Sequence, residues 1–135
     1  MNKSHTFLLS LTFLFLFGSF VYGAEPEVNR EYWDNGKLKK ETYYKNGKEE
    51  GLVTVWYKNG QKQTIGYYKQ GKLNGLLSSW YQNRKKMSET SYIDGKEEGF
   101  ATSWYVSGEK RQDLNYLDGK LNGTQTWWYK SGKKE

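Results

Sequence analysis

The sequence predicts an all-β fold: an elongated antiparallel meander of repeated β-hairpins forming a single twisted sheet. Three observations predict it. Gly47, Gly71, Gly95 and Gly119 recur at 24-residue intervals, each followed by Lys and preceded three residues earlier by Tyr44, Tyr68, Tyr92 or Tyr116. A Trp-Tyr pair returns in the same register, at Trp56-Tyr57, Trp80-Tyr81, Trp104-Tyr105 and Trp128-Tyr129. Turn signals stand about a dozen residues apart, which suits short strands and leaves no stretch long enough for an ordinary helix. A fixed internal period of this length is the signature of a repeat architecture.

From the N-terminus, the first element is not part of the array. Lys3 supplies a basic start, Phe7 to Val21 is almost unbroken Leu and Phe, and Val21-Tyr22-Gly23 puts small-enough residues three and one before a cut after Gly23. This is the three-part layout of a secretory signal peptide cut after Gly23. The apolar run falls short of the roughly 20 residues that span a bilayer. Residues 1–23 are thus read as a signal peptide, 24–30 as a short linker and 31–135 as the repeat domain. The domain opens with a half repeat over 31–46, where Tyr32-Trp33-Asp34-Asn35-Gly36 parallels Trp56-Tyr57-Lys58-Asn59-Gly60. Full units start near 47, 71, 95 and 119.

Each unit holds two turn signals. Asn46-Gly47, Gln70-Gly71, Asp94-Gly95 and Asp118-Gly119 form one series; Asn59-Gly60, Ser107-Gly108 and Ser131-Gly132 form the other, with Arg84 in place of its glycine in the second unit. Such pairs favour tight two-residue hairpins, which need positive φ at both central positions. The missing glycine at Arg84 predicts a local bulge or longer loop. Units one and three read Lys-Glu-Glu-Gly where units two and four read Lys-Leu-Asn-Gly, the mark of a duplicated 48-residue pair.

Strand alternation sorts side chains onto two faces. Leu52, Thr54 and Trp56 share one face, as do Leu76, Ser78 and Trp80, then Phe100, Thr102 and Trp104. This regular face is read as the core side, with Trp56, Trp80, Trp104 and Trp128 stacking along the array. Tyr57, Tyr81, Tyr105 and Tyr129, with Trp127, fall on the opposite face and form a candidate aromatic binding surface.

Beyond residue 23 the chain has neither Cys nor His. That removes Ser-His-Asp and Cys-His catalysis, ordinary zinc sites and thiol redox chemistry. The pairs Glu49-Glu50 and Glu97-Glu98 lie beside turns, point to opposite faces and recur with the repeat, whereas an active site is normally unique. No phosphate loop or calcium loop is present. No catalytic residue, metal site or cofactor is therefore assigned. The balance is basic, 21 Lys plus Arg against 15 Asp plus Glu. Arg84-Lys85-Lys86 is a candidate anion-binding cluster for lipid headgroups or acidic glycans, although edge lysines also discourage sheet-to-sheet aggregation. Export and the interspersed Glu residues argue against nucleic acid.

The unit Tyr-x-x-Gly-Lys-x-x-Gly, then Trp-Tyr-x-x-Gly, resembles the MORN repeat, most closely its bacterial variant MORN-2, found in proteins named as YwqK-type antitoxins. The resemblance covers about residues 30–135. It implies a run of antiparallel hairpins in a twisted, elongated sheet, and roles in protein assembly, dimerisation or lipid contact. The expected function is an exported, non-catalytic scaffold that binds a protein partner at or outside the cell envelope. Neutralising a partner toxin, and binding anionic lipid or glycan through the basic edge, are the alternatives.

Overall fold

The structure is a computed structural model that describes residues 25–135; the expected signal peptide lies outside the described residues. Eleven strands make one open antiparallel sheet: β1 (Glu27–Tyr32), β2 (Leu38–Lys45), β3 (Lys48–Trp56), β4 (Lys62–Lys69), β5 (Lys72–Leu73), β6 (Gly75–Trp80), β7 (Lys86–Ile93), β8 (Lys96–Trp104), β9 (Lys110–Leu117), β10 (Lys120–Leu121) and β11 (Thr126–Trp127). The order is β1-β2-β3-β4-β6-β7-β8-β9-β10, with β5 on β4 and β11 on β9. Every connection is sequential, so the sheet is the meander the turn spacing predicts, with no helix among the described residues. The sheet starts earlier than expected: Glu27 to Arg30, read as linker, pair with Tyr44 to Glu41.

The two turn series differ. In the first, Asn46, Gln70, Asp94 and Asp118 take φ of 49–52° and the following glycines are also positive. These are two-residue hairpins with both centres left-handed, as expected. In the second series the residue before the glycine is not left-handed. Tyr57 N–H donates to Gln61 O and Gly60 N–H to Tyr57 O, both at 2.8 Å. This is a three-residue loop whose glycine sits in a bulge. Beyond it the pairing slips: Val55 faces Thr64 but Trp56 faces Lys62, leaving Gln63 as an extra residue. Arg84 makes no longer loop. It adopts φ +68° and the turn keeps the same two bonds, Tyr81 N–H to Lys85 O and Arg84 N–H to Tyr81 O, each 2.9 Å. The turn geometry is held from outside, by the stacked neighbouring turns, so a side chain with Cβ is carried through a conformation that suits glycine.

The register also locates the shielded interior. Thr42, Val53 and Gly66 lie opposite one another across β2, β3 and β4. Leu77, Thr90, Ala101 and Leu114 continue the line across β6 to β9. Val53, Ala101 and Leu114 are the buried hydrophobic residues, and Thr42 is the most enclosed side chain at 2% exposure. Gly66 leaves the space that Leu77 and Leu73 fill; a Cβ there would lie 2.8 Å from Leu77 Cδ1. This aliphatic face, not the tryptophan face, carries the core. Trp56, Trp80, Trp104 and Trp128 are only half-buried. In a one-layer sheet no second layer of backbone covers a large ring, so one side of it stays partly open. Small side chains, flanked on both sides by neighbouring strands, are the ones enclosed.

The two unit types fold differently at one place. In the Lys-Glu-Glu-Gly units the outgoing strand runs unbroken as β3 or β8. Glu50 Oε2 accepts from Gln70 N–H at 2.7 Å, and Glu98 Oε2 from Asp118 N–H at 2.8 Å, capping the next hairpin turn. In the second unit, Lys-Leu-Asn-Gly splits the strand into β5 and β6, and Asn74 N–H turns back to Tyr67 O at 2.8 Å. There β4 joins β6 only at Thr64–Ser79 and Ile65–Ser78. The 48-residue rhythm thus places a shorter seam after each pair of hairpins.

Candidate binding surface

Turns of successive units stack into a column along each edge of the sheet. Tyr57, Tyr81 and Tyr105 each open a three-residue turn, and each hydroxyl donates to the carbonyl of the tryptophan 23 residues on. Tyr57 reaches Trp80 O at 2.7 Å, Tyr81 reaches Trp104 O at 2.8 Å and Tyr105 reaches Trp128 O at 2.8 Å. In the half repeat, with its aromatic order reversed, Trp33 Nε1–H takes the same place on Trp56 O at 3.1 Å. These rings are half-buried, and their polar tips are spent inside the array. The expected aromatic surface therefore divides. Tyr57, Tyr81 and Tyr105 tie one unit to the next, while Trp127 and Tyr129, in the last unit, stand 40% and 53% exposed. Only the register could reveal this, because the acceptor lies a full unit away.

The basic cluster Arg84-Lys85-Lys86 also comes apart. Lys85 Nζ donates to Ser107 O, and Lys86 Nζ pairs with Glu89. Lys86 also lies over the Trp104 ring, 5.9 Å from its centre. Arg84 is exposed and lines a separate cleft with Gln61, Lys62 and Trp80. Consecutive residues leaving a bulged turn diverge, so a run of charge in sequence is not a patch in space.

The tryptophan face is the open one. Leu52 is 47% exposed, Tyr67 45%, Leu76 51% and Phe100 77%. Leu52 faces Tyr67 across the strands, and Leu52, Leu76 and Phe100 occupy equivalent positions of three successive units. They form an apolar row on the side that the sequence pattern alone suggests as the core. Its signal was present at Phe100, the one Phe beyond residue 23 and a bulky replacement for Leu at a repeated position. Beside the row stand braced charges. Glu89 accepts from Ser78 at 3.1 Å, while Asp113 accepts from Thr102 and Lys110, both at 2.8 Å. Lys110 and Lys134 lie 5.3 and 6.0 Å from the Trp128 ring centre. Exposed pairs of this kind contribute little to stability. Their effect here is to fix cations over rings.

Titration follows the same geometry. Burial raises the Tyr68 and Tyr92 hydroxyls above the ordinary tyrosine range, and the nearby carboxylates of Glu49 and Glu97 push them further. The Ser107 hydroxyl holds the Glu109 carboxyl below its usual value, followed by its own backbone N–H and the charges of Lys85 and Lys130. Glu49 and Glu50 do not act as a pair: Glu49 faces Tyr44, whereas Glu50 caps the Gln70 turn. Among the described residues no group of three or more acidic, His or Cys side chains is placed to hold a metal ion.

Stacked turns, interlocking hydroxyls and a one-layer sheet define a β-hairpin repeat array. Residues 28–46 and 49–70 match the MORN repeat variant family, and over this stretch the chain is similar to it. The matched region is the half repeat and the first full unit; the following units carry the same glycines and aromatics at the same interval. No curated protein matches the chain.

Proposed function

We propose that this protein is an exported, non-catalytic scaffold that holds a protein partner along its tryptophan face. The observation that carries this reading is the exposed apolar row of Leu52, Tyr67, Leu76 and Phe100. Scattered exposed hydrophobic residues are ordinary, but a row in register across several strands suits a partner surface. Phe100 is the natural anchor, since large rings near the centre of an interface carry most of its energy. The partner sits at or outside the cell envelope, in keeping with the leader read in the first 23 residues. If the partner is a toxin, the same face serves an antitoxin or immunity role.

The test uses the full chain expressed in its own cells. Phe100→Asp and Leu76→Asp keep the fold, judged by circular dichroism and melting temperature, and abolish recovery of a salt-resistant partner. A partner recovered equally well by both variants refutes the assignment of this face. N-terminal sequencing of the envelope fraction tests export: a chain beginning at Met1 there refutes processing.

A further inference from the structure

The repeats serve as controls for one another, and two equivalent positions depart from the pattern. On the tryptophan face, equivalent positions 41, 89 and 113 hold Glu, Glu and Asp, whereas position 65 holds Ile. Where the acid is present in the later units it pins a lysine: Lys86 to Glu89 and Lys110 to Asp113. Those lysines lie over the next tryptophan, Lys86 on Trp104 and Lys110 on Trp128. Lys62 is the equivalent lysine, but Ile65 gives it no carboxylate. Among the described residues no cation lies over the Trp80 ring. A cleft of about 350 Å3 opens there, lined by Gln61, Lys62, Trp80 and Arg84. The equivalent cleft of the next unit contains Gly108 in place of Arg84 and adds the carboxylate of Glu109.

Arg84 is the second departure. The equivalent positions 36, 60, 108 and 132 are glycine, and Arg84 is held at φ +68° where glycine would be unstrained. Such strain is retained where the surroundings over-determine it and is concentrated at functional sites. With the Gln61 amide turned to satisfy both neighbours, its nitrogen donates to Gln82 O and its oxygen accepts from Arg84 Nε at 3.1 Å. One edge of the guanidinium is thereby fixed, and its terminal nitrogens remain to donate. Two changes, in adjacent units that meet at this cleft, thus act in the same direction. One removes a negative charge and uncovers a ring; the other adds a positive charge beside it.

We infer that this cleft binds a carboxylate-bearing sugar, a hexuronate unit of an acidic glycan. The Trp80 ring offers a flat apolar floor to the C–H face of a pyranose. Arg84 and Lys62 receive the carboxylate, Arg84 in the planar two-pronged manner that suits this group. Lys85 and Lys86 take no part, since Ser107 O and Glu89 already hold them. The cleft lies on the same face but shares no residue with the protein-binding row, so separate variants let either assignment fail alone.

The test is titration of the full chain with trigalacturonate, followed by calorimetry and by the indole resonance of Trp80. Maltotriose and inorganic phosphate are the comparison ligands. The expected result is saturable trigalacturonate binding that shifts the Trp80 indole, with no such shift from maltotriose. Arg84→Gly restores the repeat residue, so it folds at least as stably as wild type and lowers affinity about tenfold, the loss of a charged hydrogen-bond donor. Ile65→Glu, which recreates the brace on Lys62, lowers it similarly, and Lys86→Gln leaves it unchanged. Absence of trigalacturonate binding, equal binding by maltotriose or phosphate, or wild-type affinity in both Arg84→Gly and Ile65→Glu would overturn the proposal.

Discussion

Replacing Tyr81 by Phe removes one oxygen and leaves the ring in place. In the structure that oxygen donates to Trp104 O at 2.8 Å, joining the second unit to the third. A hydrogen bond of this kind contributes about 1 kcal/mol net. Its loss also leaves the Trp104 carbonyl with one partner fewer, at a half-buried site. Tyr81→Phe is therefore expected to cost about 1 kcal/mol, and Tyr57→Phe and Tyr105→Phe the same. The three bonds sit in successive units, about two strand spacings or 10 Å apart. Sites that far apart add, so the triple variant loses about 3 kcal/mol. For a domain of this size each kcal/mol lowers the melting temperature by about 4 °C. The internal control is Tyr129→Phe, whose ring is 53% exposed and whose hydroxyl has no hydrogen bond among the described residues; it is expected to change stability by less than about 0.5 kcal/mol. Urea and thermal unfolding of wild type and the five variants measure this directly. If Tyr129→Phe costs as much as Tyr81→Phe, or the triple variant costs no more than one single, the hydroxyls are not ties between units.

Gly66→Ala places a methyl 2.8 Å from Leu77 Cδ1 and 3.3 Å from Leu73 Cδ2, so both leucines must shift. The expected cost is about 1–2 kcal/mol by urea unfolding, and Gly66→Ala combined with Leu77→Ala costs less than the sum of the two singles. Glu98→Gln weakens the cap on Asp118 N–H and Glu50→Gln that on Gln70 N–H. Each costs about 0.5–1 kcal/mol, and amide exchange speeds up at Asp118 or Gln70 alone. The raised Tyr68 and Tyr92 hydroxyls give an alkaline limit. Below about pH 10, where an unfolded tyrosine is protonated, their contribution is complete. Above it the unfolded chain ionises first, and stability falls as pH rises through the folded values. Melting temperature measured upward from about pH 9 should fall less steeply in Tyr92→Phe than in wild type; identical slopes would refute the assignment.

Much of the fold was legible before any coordinates. Asn46-Gly47 and its relatives need left-handed backbone at both residues, a local demand that neighbours cannot alter. The period of the aromatics then fixes strand length and antiparallel order. Three features turn instead on distant contacts. The regularity of the Trp side points to it as the core, yet burial depends on what covers a ring, and a single sheet covers none fully. Of the local bulge or longer loop expected at Arg84, only a bulge of the kind every such turn carries is present, because stacked turns on either side impose the geometry. Arg84, Lys85 and Lys86 form one basic run in sequence, and the bulge beyond the turn sends them to different partners.

By itself the sequence determined the hairpin array, the positions of its turns and the division of side chains between two faces. These follow from backbone sterics and the two-residue period of a strand, which act within a few residues. Tertiary structure alone decided which face is shielded, which tyrosines are spent as ties, and what the alternating Glu-Glu and Leu-Asn units do. Each of those depends on the register between strands, including the extra residue opposite Trp56, Trp80 and Trp104. A partner one full unit along the chain becomes visible only once that register is set.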